Sequence, residues 1–395
     1  MRILYICNLD CRNKAGVYNA TINRLNYMKK DTEILVTSLL STDSKSLRIL
    51  KKIIRKSTNY FNIGKYSDGD ISWENLIYKN SIYSIFNKEF NFERMIEYYV
   101  NKLEKKYDFK NIDLIHVHWG FPNAEVARIL KERYKIPYVV TSHGSDIHTN
   151  PYLNNIIKEK TLSGLNDADA LMFVSRDLAK KAIGLGVDNK IYITPNGICD
   201  EFLLDNIPKR NVKKKIGYLG NLITIKGADR IPKIFSIINK KVKCEFEIIG
   251  DGELREKVLK ELDDLKIKYK YYGRVNHQRV KAILKDFDIL IIPSRNEGWP
   301  VVVLEANGLG VYVVGTNVGG VPEAIGNIGS VVNIEDNDLE ESLGREVIRV
   351  LEKGYDSKIL RNRAREYTWD NIVKLEKEIY INVINKKYDI NHQSK

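Results

Sequence analysis

Short apolar, β-branched runs alternate along this chain with longer stretches in which apolar residues recur every three or four positions. The runs at 2–8, 33–37, 114–118, 138–142, 170–174 and 191–194 predict strands in the first half. Between the first two, Val17, Ala20, Leu25 and Met28 share one helical face. The second half repeats the rhythm, with strands at 215–219, 245–250, 269–273, 289–293 and 312–315 and helices such as 254–265 and 278–287. Strands alternating with helices predict parallel sheets covered on both faces. Two such arrays predict an α/β protein of two doubly wound, Rossmann-like domains.

The turn Pro195-Asn196-Gly197 and the polar stretch through Pro208, ending in the basic run Asn211-Val212-Lys213-Lys214-Lys215, mark the boundary. The expected domains are 1–198 and 199–366. Residues 367–395 form a last helix with Ile372, Leu375 and Ile379 on one face, returning to pack on the first domain. Ligands of doubly wound sheets bind beyond the carboxyl ends of the strands, so two facing domains place an active site in the cleft between them.

Residues 45–110 break the rhythm and read as an irregular insertion. Within them, 45–66 hold seven basic residues and no acidic one. Leu47, Leu50 and Ile54 fall on one helical face, flanked by Arg48, Lys51, Lys52, Arg55 and Lys56. That pattern suits a helix lying on an anionic membrane surface, and equally a solvated basic helix packed on its own domain. The aromatic residues Tyr60, Phe61, Tyr66 and Trp73 favour the membrane.

Charge adds to this picture. The chain of 395 residues carries a formal net charge of +13, which suits an anionic partner. No helix-turn-helix, zinc-finger or RNP pattern is present, which argues against nucleic acid. No apolar run approaches the roughly 18 residues of a spanning helix. The short apolar start at 2–8 lacks the features of a signal peptide, so the expected location is the cytoplasm, with peripheral contact at the inner membrane face. The four cysteines form neither a CxxC pair nor a zinc spacing.

The densest motif is 293–305. A strand ends at Pro293, a loop carries Glu297 and Gly298, and a helix begins near Pro300, a residue suited to a first helical turn. Free N–H groups at such a turn form an anion site. Glu305 follows Glu297 by eight positions. This spacing resembles the paired-glutamate motif of retaining glycosyltransferases of the GT-B fold, family four. Gly220-Asn221-Leu222 with Lys226-Gly227, Gly250-Asp251-Gly252, Gly319-Gly320-Val321-Pro322-Glu323, His116-Val117-His118-Trp119, Thr141-Ser142-His143-Gly144-Ser145-Asp146 and Pro195-Asn196-Gly197-Ile198 resemble further family motifs. The resemblance spans nearly the whole chain outside 45–110.

The resemblance implies a nucleotide-sugar domain in the second half and an acceptor domain in the first. Lys226 would neutralise the donor diphosphate, Glu297 would contact the donor sugar and Glu305 would accept from the ribose. Gly298, Trp299, Pro300 and Val301 form the turn that meets sugar or phosphate; Pro300 has no N–H to offer, and Trp299 reads as a lid. Gly16 would let the backbone approach the phosphates. His143 would line the reaction centre and hydrogen-bond the donor sugar, with His118 and Asp146 on the acceptor side; Asp146 could instead cap the following turn. His116 lies deeper and reads as core. Asn221 stands where the family usually has arginine, leaving Arg274 or Arg295 as the substitute clamp.

The implied reaction is a retaining, metal-independent transfer from a UDP- or GDP-sugar to a glycan carried on a polyprenyl diphosphate. No cofactor or metal is expected. Asp-x-Asp pairs at 68/70, 167/169, 286/288 and 336/338 follow no predicted strand and read as surface turns. Two alternatives are a sugar-nucleotide epimerase on the same fold and a degenerate sugar-binding protein, the second favoured only by Asn221.

Overall fold

The computed structural model describes residues 1–12, 14, 16–204, 213–336 and 338–393, with side chains to Lys386. Pro208, Asn211 and Val212 of the expected linker, and Ala15 beside Gly16, lie outside the described residues. Contacts divide the chain into two units, Met1–Pro195 with Ile372–Lys395, and Asn196–Asn371. The expected break after residue 198 differs for a local reason. Ile198 bridges to Thr368, and its N–H donates to the Tyr367 carbonyl at 2.8 Å. The turn at Asn196-Gly197 is thereby tied into the second unit.

The first unit holds β1 (Arg2–Cys7), β2 (Glu33–Asp43), β3 (Lys65–Asp68), β4 (Ile71–Asn80), β5 (Leu114–His118), β6 (Tyr138–Ser142), β7 (Ala170–Phe173) and β8 (Ile191–Ile193). Their order in the sheet is β3-β4-β2-β1-β5-β6-β7-β8. Every neighbouring pair is parallel except the β3–β4 hairpin. The strands are apolar runs because parallel strands are buried on both faces; β5 and β6 are buried at every position.

The segment 45–110 is not irregular. β4 joins the sheet parallel to β2, with Leu39 opposite Leu76, and β3 closes the edge. Phe61 and Trp73 are 3% and 4% exposed and belong to the interior, not to a membrane-facing surface. The Trp73 Nε1–H donates to Asn75 Oδ1 at 3.0 Å. Asp68 does end a strand, contrary to the expectation for Asp68/Asp70. It accepts from the Tyr18 hydroxyl at 2.7 Å and pairs with Lys14 at 2.9 Å.

The basic helix Lys45–Ile53 starts where Ser44 Oγ accepts the Leu47 N–H. It buries Leu47, but Ile49, Ile53 and Ile54 are exposed. The inward face is therefore not the expected trio Leu47, Leu50 and Ile54.

The second unit holds β9 (Lys214–Leu219), β10 (Cys244–Ile249), β11 (Tyr269–Tyr271), β12 (Ile289–Ile292), β13 (Tyr312–Thr316) and β14 (Ser330–Val332). Their order is β11-β10-β9-β12-β13-β14, all parallel. The short run Ser330–Val332 escaped the sequence pattern.

Helix Trp369–Gln393 places Val373, Ile379, Tyr380 and Val383 in the core of the first unit. Leu375, expected on its buried face, is exposed, and Glu376 is fully buried instead. In each sheet the chain reverses direction of winding beside one central strand, β1 against β5 and β9 against β12. Doubly wound sheets open a crevice at the carboxyl ends of such strands.

Candidate active site

In the second unit the strand ends at that reversal are Leu219 and Ile292, and the expected donor residues follow them directly. After β9 the chain passes Asn221 and makes a single 3-10 turn, Thr224–Lys226, ended by Gly227 at φ +68°. A Cβ on Gly227 would lie 1.9 Å from the Pro293 carbonyl oxygen. Only glycine lets this loop press against the end of β12.

The close approach brings Lys226 Nζ to 2.6 Å from Glu297 Oε2, while Ser294 Oγ–H donates to Glu297 Oε1 at 2.9 Å. The side chains retain 32% and 11% exposure, so the pair is open to a ligand on one side. The Glu297 backbone is fixed as well. Its carbonyl accepts the Gly320 N–H at 3.0 Å, and a Cβ on Gly319 would lie 1.9 Å from the same oxygen. This is the physical content of the Gly319-Gly320 motif.

Pro300 precedes helix Val301–Gly308, where the Val303 N–H donates to the Pro300 carbonyl at 3.0 Å; a helix start leaves its first N–H groups without intrahelical partners. Glu305 sits in that helix and accepts from His277 Nε2 at 3.1 Å. His277 Nδ1 lies 3.4 Å from Glu201. The Glu305 hydrogen bond, opposed by burial, raises the pKa of His277 above its ordinary value. Sequence reasoning missed His277, although it opens the helix that follows β11, at the carboxyl edge where such residues gather.

Trp299 is not a lid. It is 7% exposed, its Nε1–H donates to the Asn196 carbonyl at 3.0 Å, and its ring packs on Tyr367. Arg295 is committed to Asp229 through two contacts of 2.7 Å and to the Thr224 carbonyl. It braces the loop that carries Lys226. Arg274 and Asn221 are exposed.

In the first unit Gly16 caps helix Val17–Met28 at φ +53°, with open space where a Cβ would stand. His143 follows β6. It is 7% exposed, and its Nε2 lies 2.9 Å from His118 Nδ1 with the rings stacked. Burial first, and the Arg24 charge second, pull the His143 pKa down to about 3. Burial likewise lowers His116 and His118. All three rings are neutral at ordinary pH.

His118 and Asp146 do not fit the acceptor side. Both are 1% exposed. Asp146 Oδ1 accepts the N–H groups of His143 and Gly144 at 3.1 and 2.8 Å, and Oδ2 accepts that of Gly120 at 3.2 Å. It pins the loop after β5 to the loop after β6. A carboxylate so placed shapes the turn under His143.

Two family models match the chain. One is described as Glycosyltransferase Family 4, over residues 74–202, and the other as Glycosyl transferases group 1, over residues 201–368. The putative teichuronic acid biosynthesis glycosyltransferase TuaC of Bacillus subtilis is 29% identical over 225 residues, 54% of this chain and 55% of TuaC. The N-acetyl-alpha-D-glucosaminyl L-malate synthase of Bacillus anthracis is 27% identical over 299 residues, 70% of this chain and 76% of that protein. Among solved structures, Anabaena Alr3699/HepE in complex with UDP superimposes with a TM-score of 0.69 at 13% identity, covering 97% of this chain and 100% of its own.

Proposed function

The chain belongs to glycosyltransferase family 4 and has the GT-B fold of two Rossmann-like units, and from that premise we propose that it transfers a sugar from a nucleoside diphosphate, UDP by preference, to a glycan acceptor in surface-polysaccharide assembly. The observation that carries the reading is the Lys226–Glu297 pair, half open at the β9/β12 crevice. A diphosphate entering there takes the ammonium, a compact point charge suited to phosphate. The released carboxylate accepts from a sugar hydroxyl. Glu305, held by His277, accepts from the ribose. The complex of Alr3699/HepE with UDP supports the uridine base, and the name of TuaC supports a surface polymer as product.

The transfer runs with retention. The bond from the anomeric carbon to the β-phosphate oxygen breaks, its electrons passing to the diphosphate. The acceptor oxygen bonds the same face of that carbon, and its proton passes to the departing phosphate oxygen. Catalysis is then the stabilisation of a leaving anion by fixed charge and dipoles, here Lys226 and the N–H groups at Val301. The reaction needs no metal, so turnover in EDTA equals that in buffer; restoration by added magnesium would overturn this.

The acceptor is lipid-linked. Ile49 and Ile53 stand 54% and 73% exposed on a helix with exposed Lys45 and Lys52, and Tyr83 and Phe86 are 67% and 76% exposed just beyond β4. Apolar side chains among basic ones suit an anionic bilayer. Ile53→Asp with Phe86→Asp is expected to abolish cosedimentation with phosphatidylglycerol vesicles while donor hydrolysis persists.

A panel of UDP-, GDP- and ADP-sugars, read by thermal shift and donor hydrolysis, tests the whole. A ligand at a hundred times its Kd stabilises the native state by about 2.7 kcal/mol. One base is expected to shift the wild type and neither Lys226→Ala nor Glu297→Ala. No shift with any nucleotide at millimolar concentration would remove the reading.

A further inference from the structure

A cluster of polar side chains lies behind His143 in the interior of the first unit, and the transfer chemistry uses none of it. His116 is fixed at both nitrogens, Nδ1 by the Tyr380 hydroxyl at 2.7 Å and Nε2 by Thr141 Oγ1 at 2.8 Å. Tyr380 also meets the Tyr5 hydroxyl at 3.2 Å and donates to Glu376 Oε2 at 3.3 Å. The His118 ring packs against His116 at 4.5 Å between centroids and against His143 at 5.1 Å. His118 is thus held from one side by an immobilised ring and offers Nδ1 to His143 on the other.

We propose that His118 is the positioning residue of His143, occupying its Nε2 so that Nδ1 is the atom left to meet a ligand. Two neutral imidazoles 2.9 Å apart share one N–H. Whichever ring donates, Nε2 of His143 is taken. Among the described residues, His143 Nδ1 is buried without a hydrogen-bond partner, as is His118 Nε2. Buried polar atoms are nearly always paired, and a sugar oxygen at Nδ1 completes the set. The tautomer of His143 is then set by its neighbour, as the partner of one ring nitrogen sets the state of the other. This inference rests on the reading of His143 as a donor-sugar residue.

The full chain with His118→Phe, His118→Asn and His118→Gln tests it. Asparagine carries its amide where histidine carries Nδ1, and glutamine carries it nearer Nε2. His118→Phe and His118→Gln are expected to lower kcat for donor turnover about ten- to hundredfold, as loss of the hydrogen-bond partner that orients a metal-bound histidine does. UDP affinity should stay within about twofold, because Lys226 and Glu305 are untouched. His118→Asn should recover most of the loss.

A second readout needs no activity. In the 15N-histidine-labelled chain, long-range N–H correlation spectra should show His143 as one neutral tautomer in the wild type and as a mixture in His118→Phe. Equal loss in all three variants, or an unchanged His143 tautomer in His118→Phe, overturns the proposal. Full turnover in His143→Ala would instead sink the donor-sugar reading, and the tautomer result would still decide the pairing. Thermal melts identify a variant that fails to fold, and the remaining two then carry the test.

Discussion

In the 196–371 unit the polar side chains at the strand ends are charged, paired loop to loop and partly open, as Lys226–Glu297 and Arg295–Asp229 are. At the ends of β5 and β6 in the first unit they are stacked, neutral and buried histidines, with the Arg24–Glu376 pair sealed behind them at 0% exposure on both sides. The two arrangements suit two tasks. A half-open ion pair exchanges partners cheaply, since water has already weakened it. That is what an incoming diphosphate requires. A buried neutral stack cannot rearrange without stranding a polar atom, so it holds one geometry.

The contrast is broken most sharply by removing one charged partner from each side. Glu376→Ala leaves the Arg24 charge buried beside apolar strands, and a loss of about 3–5 kcal/mol of stability is expected. Lys226→Ala removes the more exposed end of a partly open pair, 32% against 11% for Glu297, and should cost less than the sealed pair does, yet abolish the nucleotide-dependent shift. Urea unfolding with and without UDP measures both. Similar stability losses would erase the distinction.

A smaller effect separates the histidines by pH. His143 is held near 3, so donor kcat should show no step near the ordinary value of about 6.5. The same burial makes the fold acid-sensitive. The unfolded chain binds protons that native His116, His118 and His143 refuse, so their contribution is complete above about 6.5 and falls as pH drops below it, for His143 down to about 3. His277 behaves oppositely. Its raised pKa keeps it charged beyond the ordinary range; its contribution is complete below about 6.5 and is lost as pH rises through the raised value. UDP affinity should weaken over that upper window, and His277→Ala should remove the step, as titration calorimetry would show.

The smallest expected effect is Asn221→Arg. Asn221 is exposed beside the loop that carries Lys226, and Arg295 is already engaged by Asp229. A second cation there should tighten UDP by up to about tenfold, a charged hydrogen bond being worth roughly 1.5–3 kcal/mol before its ordering cost. No gain would mean that the loop already satisfies the diphosphate.

Much of this was legible in the order of residues. β5 and β6 coincide with the runs 114–118 and 138–142, and Gly227 and Gly319 mark close backbone approaches. A parallel sheet buried on both faces writes itself as unbroken apolar runs. The segment 45–110 was not legible, because β4 mixes polar Ser72, Glu74 and Asn75 among its apolar residues instead of forming one apolar run, and its place beside β2, with Thr37 opposite Glu74, is set only by the sheet. Trp299 misled for a related reason: an aromatic in a loop reads the same whether it turns out or, as here, in against Tyr367.

Sequence by itself determined two βα arrays, the strand ends at which the chemistry sits, and the residue types Lys226, Glu297, Glu305 and His143. The arrays and strand ends follow from local periodicity, which neighbours along the chain encode; the four residues were singled out by the resemblance of their motifs to the family. Only the tertiary structure decided that Lys226 meets Glu297, that His277 meets Glu305 and that His118 belongs to His143. Each of those pairs joins residues at or beyond the ends of different strands. Which side chains then share a hydrogen bond depends on strand order and burial, and neither quantity is carried by any single stretch of the chain.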